Sequence, residues 1–417
     1  MECVEIIGGK PLSGRIEIQG SKNAVLPVLA GCVLHAGISR IRHCPRLQDV
    51  EDMIAILREL GCLVWWEEDC LTVDASFLSG TVLPKETAGR MRSSIFFLGA
   101  LLGRCGQADI PYPGGCVIGA RPVDFHVEAM RSMGAGIDEA EGRIAARAKS
   151  LRGVEITLKL PSVGATENII LAAVLAEGVT VINNGAKEPE IEELCRFLRG
   201  KGARIRLLPQ GSLEITGVSA LKDSEHELIA DRIAAGTYLL AAAVTNGVVT
   251  LGRMPVQHMQ ALLDCLEKMN IAIKKEGKDI TVDCRKPRRG IEFLETAPYP
   301  GFPTDLQSPM MTLLAVTEGR CRLRENVFEA RFKTVEQLRA MGAQITTEGR
   351  EAIILGVPGL HGAQVRAEEL RGAAALFLAG LGAEGRTQIS GCGFISRGYE
   401  NICENLKQLG ADISVEE

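Results

Sequence analysis

Apolar and polar positions along this 417-residue chain follow a pattern that recurs six times. In each copy an amphipathic run ends at a glycine or asparagine, and a strand-like start follows. The copies are Leu57–Val64 (LRELGCLV), Met130–Ile137 (MRSMGAGI), Leu198–Ile205 (LRGKGARI), Leu266–Ile273 (LEKMNIAI), Leu338–Ile345 (LRAMGAQI) and Leu406–Ile413 (LKQLGADI). Their anchors, Gly61, Gly134, Gly202, Asn270, Gly342 and Gly410, lie 73, 68, 68, 72 and 68 residues apart. Glycine, with asparagine as its usual substitute, tolerates the left-handed backbone that closes a helix. Each copy therefore predicts a helix end followed by a strand.

A second element repeats in step: an Ala/Leu-rich run closed by glycine. The runs are Asn23–Ala36, Met91–Cys105, Ala165–Glu177, Ile233–Asn246, Leu306–Glu318 and Gly372–Glu384. They are apolar nearly all round, which predicts interior helices rather than surface ones. A fixed period means an array of similar units. This one is longer than in common solenoids, so each unit is expected to be a small βαβαββ-like α/β subdomain. The length predicts two domains, hence three units in each, with helices inside and sheets outside.

Composition sharpens this picture. Glycine is abundant (46 of 417) and aromatics are only 4%, which suits tight turns and small-residue helix packing. Hydrophobic residues at 46% and charged residues at 24% are those of a globular protein. A net charge of −5 gives no global basic field, so nucleic acid is not an expected partner. Any anionic substrate must be held by a local cluster of Arg and Lys. The acidic N-terminus does not read as a signal peptide, and apolar stretches such as Ile169–Ala176 are too short to span a membrane. Thirteen cysteines, none at Cys-x-x-Cys spacing, argue against disulfides and zinc and for a reducing cytoplasm. His35, His43, His226, His258 and His361 show no metal spacing.

Candidate chemistry gathers where the interior helices begin. The starts are Ser21-Lys22-Asn23, Arg90-Met91-Arg92, Ser162-Val163-Gly164, Asp231-Arg232, Thr304-Asp305 and Glu369-Leu370-Arg371. Helix N-termini carry unpaired N–H groups and a positive dipole end, so six pointing one way favour an anion between the domains. Ser, Thr and Asp there read equally well as ordinary helix caps, Asp305 after Pro303-Thr304 included. Lys22, Arg92 and Arg371 do not, because a cation opposes the dipole. One further segment stands out. Residues 111–126, Pro-Tyr-Pro-Gly-Gly-Cys-Val-Ile-Gly-Ala-Arg-Pro-Val-Asp-Phe-His, hold three prolines and three glycines, which excludes a helix or central strand. It reads as a loop presenting the thiol of Cys116, with Arg121 and His126 close enough in sequence to perturb it.

That segment resembles the catalytic loop of the UDP-N-acetylglucosamine 1-carboxyvinyltransferase family, a branch of the enolpyruvyl transferases. Gly-Gly-Cys, Gly-Ala-Arg-Pro-Val-Asp and His occur together in order, and the resemblance runs from Ser21-Lys22-Asn23-Ala24 to Arg397-Gly398-Tyr399-Glu400. It implies a two-domain inside-out α/β barrel, with residues 21–230 forming one domain and 1–20 plus 231–417 the other. The active site would lie in the cleft between them. It also implies transfer of the enolpyruvyl group of phosphoenolpyruvate to the 3-hydroxyl of UDP-N-acetylglucosamine, a step of peptidoglycan synthesis, without metal or organic cofactor.

By the same resemblance, Lys22, Arg121, Arg331, Arg371 and Arg397 grip phosphoenolpyruvate. Asn23, Arg92, Arg121, Pro122, Val123, Asp124, Phe125, Ser162, Val163, Gly164, Asp305, Val327 and Glu369 complete the substrate contacts. Planar anions suit bidentate guanidinium, and addition of a hydroxyl to an enol needs a base and an acid. Asp305 resembles the base, or at least the carboxylate that orients the hydroxyl, and Cys116 the acid, which is also the expected target of epoxide antibiotics such as fosfomycin. Two positions depart from the family. Leu160 stands where some members carry Lys, and Glu369, where Asp is usual, is expected to hold Arg371 or to shift the geometry of intermediate breakdown. The rival readings are the shikimate-pathway enolpyruvyl transferase, and a silent regulatory paralogue that only binds the UDP-sugar. The oligomeric state is not legible in the sequence.

Overall fold

All six predicted helix ends adopt one backbone form in the computed structural model, which describes residues 3–114 and 123–416. Gly61, Gly134, Gly202, Gly342 and Gly410 have φ between 94° and 97°, and Asn270 has 66°. Each anchor N–H returns to the carbonyl three residues back, as Gly61 does to Arg58. The next N–H returns five residues back: Cys62 to Leu57, Ala135 to Met130, Ala203 to Leu198, Ile271 to Leu266, Ala343 to Leu338 and Ala411 to Leu406. This double closure occupies carbonyls that would otherwise end the helix unpaired. The helices so closed are Gln48–Glu59, Asp124–Ser132, Pro189–Gly200, Gln260–Lys268, Val335–Ala340 and Ile402–Gln408.

The left-handed requirement has a measurable cost. A Cβ at Gly202 would meet nothing within 4 Å, so only its φ of 96° opposes a side chain. Gly202→Ala is expected to lose about 1–2 kcal/mol in urea melts. Gly200→Ala, equally open but inside the helix, is expected to gain about 0.5–1 kcal/mol. Equal effects at both positions would contradict the closure argument.

The apolar runs form the helices Lys22–Cys32, Phe96–Cys105, Val163–Ala173, Arg232–Val244, Gln307–Ala315 and Leu370–Gly382. They are buried all round: every residue is buried from Ile233 to Val244 and from Leu370 to Leu381. Two begin later than the apolar pattern predicts, because the 3-10 turns Arg92–Ile95 and Thr304–Leu306 precede them. Glycine is what lets such helices touch. A methyl at Gly99 would sit 2.3 Å from the Asn168 carbonyl oxygen.

Among the described residues the strands form six sheets, five of four strands and one of three. The repeat is plainest in Glu155–Thr157, helix, Val179–Asn183, helix, Arg204–Leu207 and Leu213–Thr216. Its first two strands pair in parallel and the others antiparallel. Among the described residues, the three-stranded sheet has a parallel bridge, Val82 to Asp109, where the others have an edge strand. Strands are also exchanged between distant parts of the chain. Cys3–Ile7 lies between Arg386–Ser390 and Asp412–Glu416, so the chain start completes the last repeat. Ser13–Glu17 joins Val248–Gly252, and Ser224–Glu227 joins Ile38–Arg42.

Leaving residues 115–122 aside, the chain divides into two compact units. One runs from Gly20 to Ile229, and the other joins the strands up to Gln19 with the chain from Ala230 onward. Each unit has its own hydrophobic core. Among the described residues no helix is long and apolar enough to cross a membrane, and the described cysteines are all free thiols.

Candidate active site

In the unit formed with the chain from Ala230 onward, one carboxylate lies between two guanidinium groups. Asp305 accepts from Arg331 Nη2 at 2.6 Å through Oδ1 and from Arg371 Nη2 at 2.7 Å through Oδ2. The arginine side chains are 3% and 6% exposed, whereas Asp305 keeps 22%. Buried guanidinium groups need such partners, since desolvating an unpaired charge is costly. Burial alone would lower the Arg371 pKa, but Asp305, with Tyr399 and Asp231, more than offsets it, and the net shift is upward. The Arg371 Nη1 donates to the Tyr399 hydroxyl at 3.2 Å. Thr237 uses its own proton on the Ile233 carbonyl, so at 2.9 Å it accepts from Tyr399. Arg371 is thus fixed through a directed relay that ends on backbone.

Asp305 does not cap a helix. It sits inside the turn Thr304–Leu306, where no side-chain cap bond forms, and its oxygens go to the arginines. Glu369 takes the capping role instead. Its side chain accepts the backbone N–H groups of Arg371, at 2.8 Å, and of Gly372 at the start of Leu370–Gly382. Its Oε2 also lies 3.5 Å from Arg331 Nη1. Glu369 therefore does hold Arg371, but by its backbone N–H, and pairs with the Arg331 guanidinium while the Arg371 guanidinium turns to Asp305. The reason is geometric: a residue that caps its own helix start holds the backbone of Arg371, not its side-chain tip.

Glu325 was not singled out by the sequence, yet it is fully buried and organises this cluster. Its Oε1 accepts from Val327 N at 2.8 Å and Phe328 N at 3.0 Å, and its Oε2 from the Thr304 hydroxyl at 3.0 Å. Thr304 in turn accepts from Arg331 Nε at 3.3 Å. One carboxylate thereby sets Val327, the turn bearing Asp305 and Arg331. The signal available beforehand was an acidic residue directly after the strand Arg320–Arg324. Arg397 ends the 3-10 turn Cys392–Arg397 and is half-buried.

In the unit from Gly20 to Ile229, Lys22 is the first residue of its helix, capped by Ser21 Oγ on Ala24 N–H. Its Nζ lies 2.8 Å from Asp49 Oδ2, with Asp49 itself buried. Asp49 explains how a cation is tolerated at a helix N-terminus, and it too escaped the sequence reading. Asn23 follows Lys22 and is half-buried; Arg92, also half-buried, opens its 3-10 turn. Ser162 caps Val163–Ala173 by accepting from Ala165 N–H, which leaves Val163 and Gly164 half-buried in the first turn. The segment 111–126, expected to exclude a helix, does not: helix Asp124–Ser132 takes in its last three residues once the prolines are passed. Val123 is buried at the start of that helix, Asp124 is exposed, and Phe125 packs on the core. Leu160 is 66% exposed. Cys116, Arg121 and Pro122 lie outside the described residues. His126 is buried against Asn168, and no grouping of three or more metal-binding side chains occurs among the described residues.

Known proteins resemble this chain along its whole length. The profile of the EPSP synthase (3-phosphoshikimate 1-carboxyvinyltransferase) family matches residues 6–406. A UDP-N-acetylglucosamine 1-carboxyvinyltransferase 2 of Caldanaerobacter subterraneus is 46% identical over 98% of both chains. A UDP-N-acetylglucosamine 1-carboxyvinyltransferase of Dichelobacter nodosus is 43% identical over 99% of both. Among solved structures, the enolpyruvyl transferase NikO from Streptomyces tendae superposes with a TM-score of 0.90 at 26% identity, covering 99% of this chain and 98% of its own. An EPSP synthase from Acinetobacter baumannii gives 0.77 at 18% identity over the full length of both and shares the fold.

Proposed function

This chain belongs to the EPSP synthase family of carboxyvinyltransferases, and we propose that it transfers the enolpyruvyl group of phosphoenolpyruvate to the 3-hydroxyl of UDP-N-acetylglucosamine, releasing phosphate. The observation that carries the reading is the 46% identity, over nearly the whole of both chains, to a carboxyvinyltransferase named for that acceptor. The reaction is an early step towards peptidoglycan, and we place it in the cytoplasm.

The mechanism follows from residue chemistry. Lys22, Arg121, Arg331, Arg371 and Arg397 hold the carboxylate and phosphate of phosphoenolpyruvate. Asn23, Arg92, Pro122, Val123, Asp124, Phe125, Ser162, Val163, Gly164 and Val327 line the path of the sugar nucleotide. In the addition step the sugar oxygen bonds to C2 of the enol and gives its proton to Asp305, while the Cys116 thiol protonates C3. In the elimination step C3 returns a proton to the Cys116 thiolate, the C2=C3 bond re-forms as the C2–O bond to phosphate breaks, and phosphate leaves with the proton held by Asp305.

The double clamp on Asp305 adds a condition. With both oxygens already accepting from arginines, the carboxylate is a poor base. An arriving anion competes for those guanidinium groups and frees one Asp305 oxygen for the sugar hydroxyl. Binding of phosphoenolpyruvate would then switch the base on.

A phosphate-release assay decides among acceptors. Turnover is expected with UDP-N-acetylglucosamine and absent with shikimate 3-phosphate. Release with shikimate 3-phosphate alone would favour the rival enzyme, and release with neither a silent paralogue. The ligand set draws on both units, so the proposal requires them to close on the sugar nucleotide. Small-angle scattering is expected to show compaction at saturating UDP-N-acetylglucosamine, and residues 111–126 are expected to resist protease. Unchanged scattering and cleavage would refute closure.

A further inference from the structure

Three segments assigned above to the sugar nucleotide meet at one buried amide. Asn168 is fully buried in the helix Val163–Ala173, whose first turn carries Val163 and Gly164. Its Oδ1 accepts the Gly99 N–H at 2.8 Å. Its Nδ2 lies 3.0 Å from the Ile95 carbonyl, at the end of the turn that begins with Arg92, and 3.0 Å from His126 Nδ1. The donor and acceptor ends of an amide are distinguished only by their partners. Here the partners decide, because a backbone N–H can only donate and a carbonyl can only accept.

Nδ2 is therefore the nitrogen. One of its hydrogens goes to Ile95 and the other to His126 Nδ1. A ring nitrogen that accepts carries no proton, so the imidazole holds its proton on Nε2. That edge of the ring faces the first turn of the Asn168 helix: a Cβ built on Gly164 would lie 3.4 Å from His126 Cε1 and 3.6 Å from Nε2. His126 is itself only 5% exposed.

We propose that Asn168 is a positioning residue of the sugar-nucleotide site: it holds His126 as the Nε2–H tautomer, with that donor edge turned to Gly164, and ties the turn bearing Arg92 to the same helix. An anionic oxygen seated at Val163 and Gly164 then meets a fixed donor rather than a ring free to present either nitrogen. The identity of the ligand rests on the enolpyruvyl-transfer reading; the tautomer does not.

Nitrogen-15 correlation spectra of the imidazole rings in the full-length, substrate-free protein are the first test. His126 is expected to show a protonated Nε2 and a bare Nδ1; a proton on Nδ1 overturns the proposal. Asn168→Asp removes both donors and places an acceptor against Nδ1, which moves the ring proton there. The KM for UDP-N-acetylglucosamine is then expected to rise about tenfold, as for one lost well-placed hydrogen bond, with the KM for phosphoenolpyruvate within about twofold. An unmoved tautomer, or equal rises for both substrates, refutes the positioning role. His126→Phe keeps the ring against Gly164 without a donor and is expected to give the same split should the Asp variant fail to fold. A wild-type protein that shows the Nε2–H tautomer but no turnover with UDP-N-acetylglucosamine would sink the proposed reaction and leave the tautomer standing.

Discussion

Replacing Cys116 with serine is expected to abolish nearly all turnover, whereas replacing it with aspartate is expected to preserve activity with an optimum at lower pH. A general acid must carry its proton at working pH, and a free thiol near pKa 8.5 does so. A serine hydroxyl is far too weak an acid to protonate the enol methylene. Aspartate supplies an acid of similar size, and closure of the units on substrate, as proposed, would desolvate its carboxyl and raise it towards neutrality. The thiol also predicts covalent inactivation by epoxides such as fosfomycin, because the thiolate fraction alkylates. Cys116→Asp should escape that inactivation. Steady-state rates across pH and mass spectrometry of the treated protein check both statements. A serine variant that turns over like wild type, or an aspartate variant still alkylated at residue 116, would remove Cys116 from the mechanism.

The second large effect concerns Asp305. Asp305→Ala is expected to lower turnover by about two to four orders of magnitude, the usual contribution of a positioned base. Sugar affinity should stay nearly intact. The geometry adds a signature, since this carboxylate neutralises both Arg331 and Arg371. Without it those cations are left for the anionic substrate, so the KM for phosphoenolpyruvate should hold or fall while kcat collapses. General disruption of the unit would raise both KM values instead. Asp305→Asn is the control, because its amide can still accept from one arginine while the nitrogen cannot accept from the other. Turnover within a few-fold of wild type would reduce Asp305 to a partner of the two arginines.

How much of this was legible beforehand depends on whether the determining interactions are local. The helix ends were readable because a left-handed C-terminal residue is a property of that residue alone, and Gly or Asn stands at all six anchors. The interior helices were readable because an all-apolar run has nowhere to go but inside. Even so, the 3-10 turns ahead of Phe96–Cys105 and Gln307–Ala315 were not, since polar residues there are held by tertiary partners. Thr304, for example, donates to the Glu325 carboxylate, 21 residues further along the chain.

Residue types at the site were legible as a concentration of Arg, Lys and Asp at helix starts, but their pairings were not. Lys22 finds Asp49 on the next helix, and Asp305 finds arginines 26 and 66 residues away. Glu369 turns to its own helix start and to Arg331. Glu325 and Asn168 looked like an ordinary acidic residue and an ordinary helical one, and only burial made their hydrogen bonds obligatory. The sixfold α/β repeat, the positions where helices end and the kinds of side chain placed at their starts follow from local sequence, because each depends on neighbours within a few residues. Tertiary structure alone decided which charges neutralise one another, which strand completes which sheet and which tautomer His126 carries, because those choices are made between residues far apart in the chain and close in a dry interior.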